Sequence, residues 1–129
     1  MSKKAQIKYI DLPRFFPGIY VGYTNSKKKL DKEFKRLKIN DMGEYKGRAG
    51  RVWAFTNQDK LTLIFFLDKN FIPDDSDIIN IYGLFVHETT HIVDYIYDHI
   101  GERQKTDEIN SYLHQYIFEE LARLYKEKR

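Results

Sequence analysis

The apolar positions in the first half of the chain change from an alternating spacing to a helical one. Within Gly18–Thr24 alternate residues are apolar or aromatic, which predicts a β-strand. The lysine-rich segment that follows has apolar residues at helical spacing, so we expect a helix beginning near Lys27, with Asn25 and Ser26 as its cap. The apolar stripe of this helix is Leu30, Phe34 and Leu37.

Two short runs rich in β-branched and aromatic residues come next and predict a β-hairpin. Arg51–Thr56 and Leu61–Leu67 are the two strands, and the polar residues between them form the turn. Glycines recur over residues 40–50, which predicts a loop before the hairpin. Residues 1–17 contain two prolines and are predicted to form an irregular arm that packs on the domain.

Two helical patterns dominate the second half of the chain. The first predicts a helix from about Asp77 to Asp98, with Gly101 as its stop. The second predicts a closing helix that runs to about Lys126. The apolar stripe of the closing helix is Ile109, Tyr112, Leu113, Tyr116, Ile117, Leu121 and Leu124. We therefore predict an α+β fold, in which a small antiparallel or mixed sheet packs on these two helices.

Composition limits the number of domains and the kinds of partner. A chain of 129 residues, 42% of them hydrophobic, is long enough for one packed domain, which we expect to span residues 1–129. A net charge of +3 does not indicate a nucleic-acid partner, since such binding needs a clustered basic surface. Without cysteine, neither a disulfide nor a thiolate zinc site can form. No apolar run approaches a membrane span or a signal peptide, so we expect a cytoplasmic protein without a membrane segment.

The candidate chemistry lies in the helix predicted from Asp77, where His87-Glu88-Thr89-Thr90-His91 interrupts an apolar run. Side chains four residues apart share a helix face and are separated by about 6 Å along the axis. His87 and His91 can therefore bind one metal ion, and zinc suits two imidazoles plus a carboxylate. Glu88 can act as general base for a reactive water at the open metal position. We call this helix the motif helix.

A catalytic zinc site of this kind needs a third protein ligand. The metzincin pattern has a histidine six residues after the second one, but that position is Tyr97, and Asp94 stands where the pattern has glycine. Gluzincins instead use a glutamate from the following helix, and Glu108 fits that role. Asp94 shares the face of the two histidines and is a candidate for a hydrogen bond to one of them, although a surface or capping role fits it equally well.

The motif His-Glu-Thr-Thr-His-Ile-Val-Asp, followed by Asp-Glu-Ile-Asn-Ser-Tyr-Leu, resembles the small zincin-like metallopeptidases of phages and prophages and, more loosely, minimal gluzincins. The resemblance covers residues 78–120, and its first motif is the more specific. It implies a minimal zincin-like fold, Zn²⁺ held by His87, His91 and Glu108, and Glu88 as catalytic base. It also implies a peptide or protein substrate and the cytoplasm of a bacterial host. Thermolysin-like gluzincins have an aspartate four residues beyond the third ligand, where this chain has Tyr112.

The choice of Glu108 depends on where the closing helix begins. If helical structure starts soon after residue 101, Glu108 and His91 lie at a similar distance from the connection between the two helices, which we call their depth. If the helix begins only at Thr106, Glu119 becomes the rival, because it shares a helix face with Glu108 and lies deeper. Asp107 is a weaker rival, since its side chain is shorter and points elsewhere.

The oxyanion donor and the reaction also stay open. Tyr112 and His114 are the candidates for a hydrogen bond to the oxyanion, although Tyr112 equally fits the apolar stripe and His114 a surface position. The main alternative to a peptidase is a non-catalytic or structural metal-binding protein with a zincin fold, acting in phage assembly or host interaction. A hydrolase of non-peptide amides is a further alternative. A structural metal site has no need of Glu88, which favours catalysis.

Overall fold

The described helices and strands follow one another in the predicted order, with one additional strand at the start. The computed structural model describes residues 4–12, 16–39, 49–72, 77–101 and 107–127, with the backbone alone at 71 and 107–109. The elements are β1 (Lys8–Ile10), β2 (Ile19–Thr24), α1 (Lys27–Arg36), β3 (Gly50–Asn57), β4 (Lys60–Leu67), α2 (Ile78–Ile100) and α3 (Asp107–Glu127). A mixed sheet that packs against α2 and α3 confirms the predicted α+β class.

The strands form one sheet in the order β1-β2-β4-β3. β2 and β4 are parallel, with Val21 opposite Leu63, and the other two pairings are antiparallel. The predicted hairpin is confirmed, since β3 and β4 are joined by the two residues Gln58 and Asp59, and Gln58 has a φ of 58°. A left-handed residue at this position suits the tight turns that match strand twist. The parallel β2–β4 pair leaves β3 at an edge of the described sheet.

The two faces of the sheet bury different sets of side chains. Val52 and Phe65 lie on the face covered by α2 and α3, whereas Trp53 and Ile64 lie on the face covered by α1. This division follows from the alternation of side chains along a strand. The rings of Phe65 and Phe85 pack edge-on with centroids 5.0 Å apart, a geometry worth about 0.5–1.5 kcal/mol beyond the area buried. These contacts fix the distance of α2 from the sheet.

α2 carries the motif and is bounded at both ends by local hydrogen bonds. The Asp77 side chain accepts a hydrogen bond from the Ile79 amide at 3.0 Å, and Gly101 ends the helix with a φ of 76°. Both ends match the prediction, because a short acidic cap and a left-handed glycine are the usual boundaries of a helix. Among the helices of the described residues, none is both long and apolar enough to cross a membrane.

A buried carboxylate ties α1 to the N-terminal segment. Glu33 accepts hydrogen bonds from the Gln6 amide at 2.8 Å, from the Arg36 guanidinium at 2.8 and 2.5 Å, and from the Tyr9 hydroxyl. Burial raises the pKa of Glu33, but these bonds outweigh it and hold the pKa below its ordinary value. Burial, together with the bond to Glu33, raises the pKa of Tyr9 well above its usual range. The cluster stabilises the sheet face opposite the motif helix.

Two predictions about packing are wrong. Residues 1–17 were expected to form an irregular arm, but they contain the strand β1. This strand forms because it pairs with β2, and it is too short to show an alternating pattern in the sequence. Tyr112 does not belong to the apolar stripe of α3, because its side chain is 65% exposed, one step of about 100° around the helix from buried Leu113. Most of the predicted loop, residues 40–48, lies outside the described residues, and Gly50 begins β3.

Candidate metal centre and active site

The two histidines of the motif converge on the exposed side of α2. Their Nε2 atoms are 3.3 Å apart, and their rings are nearly perpendicular, with centroids 4.9 Å apart. The opposite side of the helix buries Phe85 and Ile92, which fixes the helix in the core and leaves the imidazoles accessible. The spacing of four residues thus gives the shared face that the sequence predicts.

The separation of the two nitrogens provides a test of whether they fit a zinc ion. Two nitrogen ligands at 2.0–2.1 Å from one tetrahedral zinc ion lie about 3.3–3.4 Å from each other. The observed 3.3 Å between the Nε2 atoms of His87 and His91 agrees with that requirement without any movement of the side chains. Among the described side chains, no third histidine, aspartate or glutamate joins the pair in a metal-binding group.

Glu88 lies beside the histidines but is buried between α2 and β3. Its side chain is 6% exposed, and a methyl group on Gly50 would come within 3.3 Å of its Cγ atom. The same methyl group would lie 3.2 Å from Cε1 of Phe65. Glycine at this position therefore provides the space that the Glu88 side chain occupies.

A cavity of about 580 Å³ opens between α2 and the start of β3. His87, Glu88 and His91 all line it, so the metal-binding pair and the carboxylate face one space. The remaining walls are Leu84 and Tyr95 from α2 and residues 49–52 at the start of β3. The cavity therefore joins the motif to an edge strand.

One edge of β3 pairs with no other strand among the described residues, and it borders this cavity. The Ala49 carbonyl accepts a hydrogen bond from the Asp68 amide at 2.8 Å, so Ala49 directs its backbone groups toward β4. The pairing of Asn57 with Lys60 across the two-residue turn gives the same alternation at the other end of the strand. In an antiparallel pair, successive residues direct their backbone groups alternately toward and away from the partner. Gly50 and Val52 therefore direct their N–H and C=O groups toward the free edge, beside the two histidines.

The remaining predicted residues lie in other places. Tyr112 is exposed on α3, and His114 lines a separate groove between α2 and α3, with its Nδ1 2.9 Å from the Asn110 carbonyl. Asp94 is exposed on α2, three residues beyond His91. Neither oxyanion candidate lines the cavity that holds the motif.

Glu108 belongs to the first turn of α3, and its side chain and that of Asp107 lie outside the described part of the structure. α3 begins at Asp107. For a helix that begins this late, the sequence predicts Glu119 as the rival of Glu108 for the role of third metal ligand. Glu119 is exposed and accepts a hydrogen bond from Gln115 at 3.1 Å. It does not line the cavity that contains His87 and His91.

The packing of α3 on α2 determines how far along the helix pair Glu108 and Glu119 lie relative to His91. Tyr82 and Phe118 are in contact, with ring centroids 5.9 Å apart. His91 lies about 13 Å from Tyr82 along α2. Glu108 lies about 15 Å from Phe118 along α3, in the same direction. Glu119 is next to Phe118 and thus near the level of Tyr82. Interhelical contacts, rather than the length of α3, set this register, and which glutamate completes the site stays a prediction.

The sequence reasoning missed Tyr95. Its side chain lines the same cavity as the motif and is 42% exposed. It lies four residues after His91 and eight after His87, so all three share one helix face. Extending the spacing of the motif by one more turn would have identified it.

Comparisons of the chain with protein-family models, with curated proteins and with solved structures found no match.

Proposed function

We propose that this protein is a zinc-dependent hydrolase, and specifically a metallopeptidase, in which His87 and His91 bind the metal and Glu88 is the general base. One observation carries the proposal: two Nε2 atoms lie 3.3 Å apart and share a cavity with a buried carboxylate. In the H-E-x-x-H arrangement of zinc metalloproteases, the two imidazoles bind the metal and the adjacent glutamate acts as the general base.

Glu108 is proposed as the third protein ligand. The contact between Tyr82 and Phe118 supports it, because that contact brings the first turn of α3 to the depth of His91. Glu119 is a weaker choice, since it is exposed and accepts a hydrogen bond from Gln115. It also lies near the level of Tyr82, away from His91. Asp94, exposed three residues after His91, keeps its proposed role as a hydrogen-bond partner of a ligand histidine.

The proposed chemistry is hydrolysis of an amide bond. Zinc, when bound, supplies a Lewis acid that polarises a carbonyl and lowers the pKa of water. Glu88 takes a proton from the attacking water as its oxygen bonds to the carbonyl carbon. When the C–N bond breaks, the Glu88 carboxyl gives that proton to the leaving nitrogen. The buried position of Glu88 beside the histidines, in the same cavity, supports this role.

The proposed substrate is an extended peptide or protein segment. Such a segment can pair with the backbone groups that Gly50 and Val52 direct away from β4, as added strands do at exposed sheet edges. This pairing would lay the peptide backbone along the cavity that His87, Glu88 and His91 line.

The test is the substitution Glu88→Gln, which keeps the shape of the side chain and removes the base. Unfolded casein serves as the probe, and mass spectrometry identifies new termini. We expect the zinc-loaded protein to cleave it, and Glu88→Gln to retain zinc while cleavage falls by about 10²–10⁴-fold. Glu119→Gln is the matched control and should cleave as the unsubstituted protein does. Equal cleavage by Glu88→Gln would remove Glu88 from catalysis, and zinc binding without any cleavage would favour a non-catalytic metal protein.

A further inference from the structure

We infer that the hydroxyl of Tyr95 is the hydrogen-bond donor that stabilises the oxyanion during hydrolysis. This inference rests on the proposed function and assigns a residue to a role that Tyr112 and His114 do not fit. Tyr112 is exposed on α3, and His114 faces a different groove. Tyr95, by contrast, lines the cavity that holds the metal-binding pair and the base.

The geometry of α2 directs Tyr95 toward the site. His87, His91 and Tyr95 follow one another at intervals of four residues on one helix face. Long side chains on a helix lean toward its N-terminus, so the Tyr95 ring extends over the turn that carries His91. Among the described residues, none forms a hydrogen bond with the Tyr95 hydroxyl, and Tyr95 is 42% exposed. The phenol is therefore available to a ligand in the cavity.

The role of the phenol follows from where charge develops. As the water oxygen bonds to the carbonyl carbon, the electron pair of the C=O double bond moves to the carbonyl oxygen, which becomes negative. The Tyr95 hydroxyl donates a hydrogen bond to that oxygen and keeps its own proton. When the C–N bond breaks, the electron pair returns, and Glu88 transfers its proton to nitrogen. A donor of this kind acts on the transition state more than on the bound substrate.

The experiment compares Tyr95→Phe with Tyr112→Phe, a matched loss of one hydroxyl outside the cavity. Three quantities are measured on each zinc-loaded protein: zinc affinity, casein cleavage, and the affinity for acetohydroxamate by calorimetry. Acetohydroxamate presents an oxygen anion to the site. We expect Tyr95→Phe to retain zinc, to lower the turnover of casein by about 10²-fold with little change in KM, and to weaken acetohydroxamate by about tenfold. Tyr112→Phe should match the unsubstituted protein in all three.

Tyr95→Leu separates the hydroxyl from the ring. If Tyr95→Phe cleaves casein and binds acetohydroxamate normally while Tyr95→Leu raises KM, the ring contacts substrate and the inference is overturned. If the unsubstituted protein binds zinc without cleaving casein, the proposed peptidase function fails, and the acetohydroxamate affinities of Tyr95→Phe and Tyr112→Phe still decide whether the phenol donates. If the protein binds no zinc, both proposals fall.

Discussion

Removing either motif histidine should abolish the stabilisation of the fold by zinc. The two Nε2 atoms are already 3.3 Å apart, on a helix whose opposite face is fixed in the core. Little conformational free energy is therefore needed to form the chelate, and a ligand that binds only the folded state stabilises it. His87→Ala and His91→Ala each leave one imidazole beside the proposed ligand Glu108, and the loss of one of three donors should weaken zinc binding strongly.

The size of the effect can be worked out for a chain of 129 residues. Free zinc at one hundred times its dissociation constant adds about 2.7 kcal/mol to the free energy of unfolding. At roughly 3–5 °C per kcal/mol for a domain of this length, the melting temperature should rise by about 10 °C. We expect this rise in the unsubstituted protein and no more than about 1–2 °C in either motif variant.

The assay is thermal unfolding followed by circular dichroism, with chelator and then with excess zinc. The chain has four histidines, and the other two supply matched controls: His99→Ala and His114→Ala should keep the full rise. His99 lies 3.1 Å from the Asp59 carbonyl, and its loss is expected to lower stability equally with and without zinc. A zinc-dependent rise that survives in His87→Ala, or its absence from the unsubstituted protein, would refute the assignment.

Three further predictions follow from the packing. Glu108→Ala should weaken zinc binding strongly in a competition titration while Glu119→Ala leaves it intact, and the reverse order would exchange their roles. Gly50→Val should cost about 1–3 kcal/mol in urea unfolding and should lower casein cleavage with zinc still bound, because its side chain would press on Glu88. Glu33→Gln should cost about 3 kcal/mol near neutral pH, since it breaks a buried ionic cluster. Because the folded pKa of Glu33 lies below its ordinary value, this stability is present above the ordinary pKa and is lost as the pH falls toward the folded one, so the difference between the variants should shrink in acid.

The sequence alone determined the features that depend on neighbours along the chain. Helical spacing gave α2, and the capping residues at its two ends gave its boundaries within two residues. The same spacing brought His87 and His91 to one face, because that arrangement needs only the helix repeat. The strands of the hairpin were predictable for a similar reason, since alternation and a polar turn are local.

The tertiary structure decided the features that depend on contacts between distant segments. The parallel pairing of β2 with β4 put β3 at the sheet edge beside the motif, and no local pattern encodes which strands pair. Contact between Tyr82 and Phe118 set the register of α3 against α2, which the spacing within either helix does not determine. Tyr112 and Tyr95 show the same limit: both are tyrosines on helices, yet one faces solvent and the other faces the cavity. The periodicity of a helix fixes which residues share a face, but only the packed neighbours determine what that face meets.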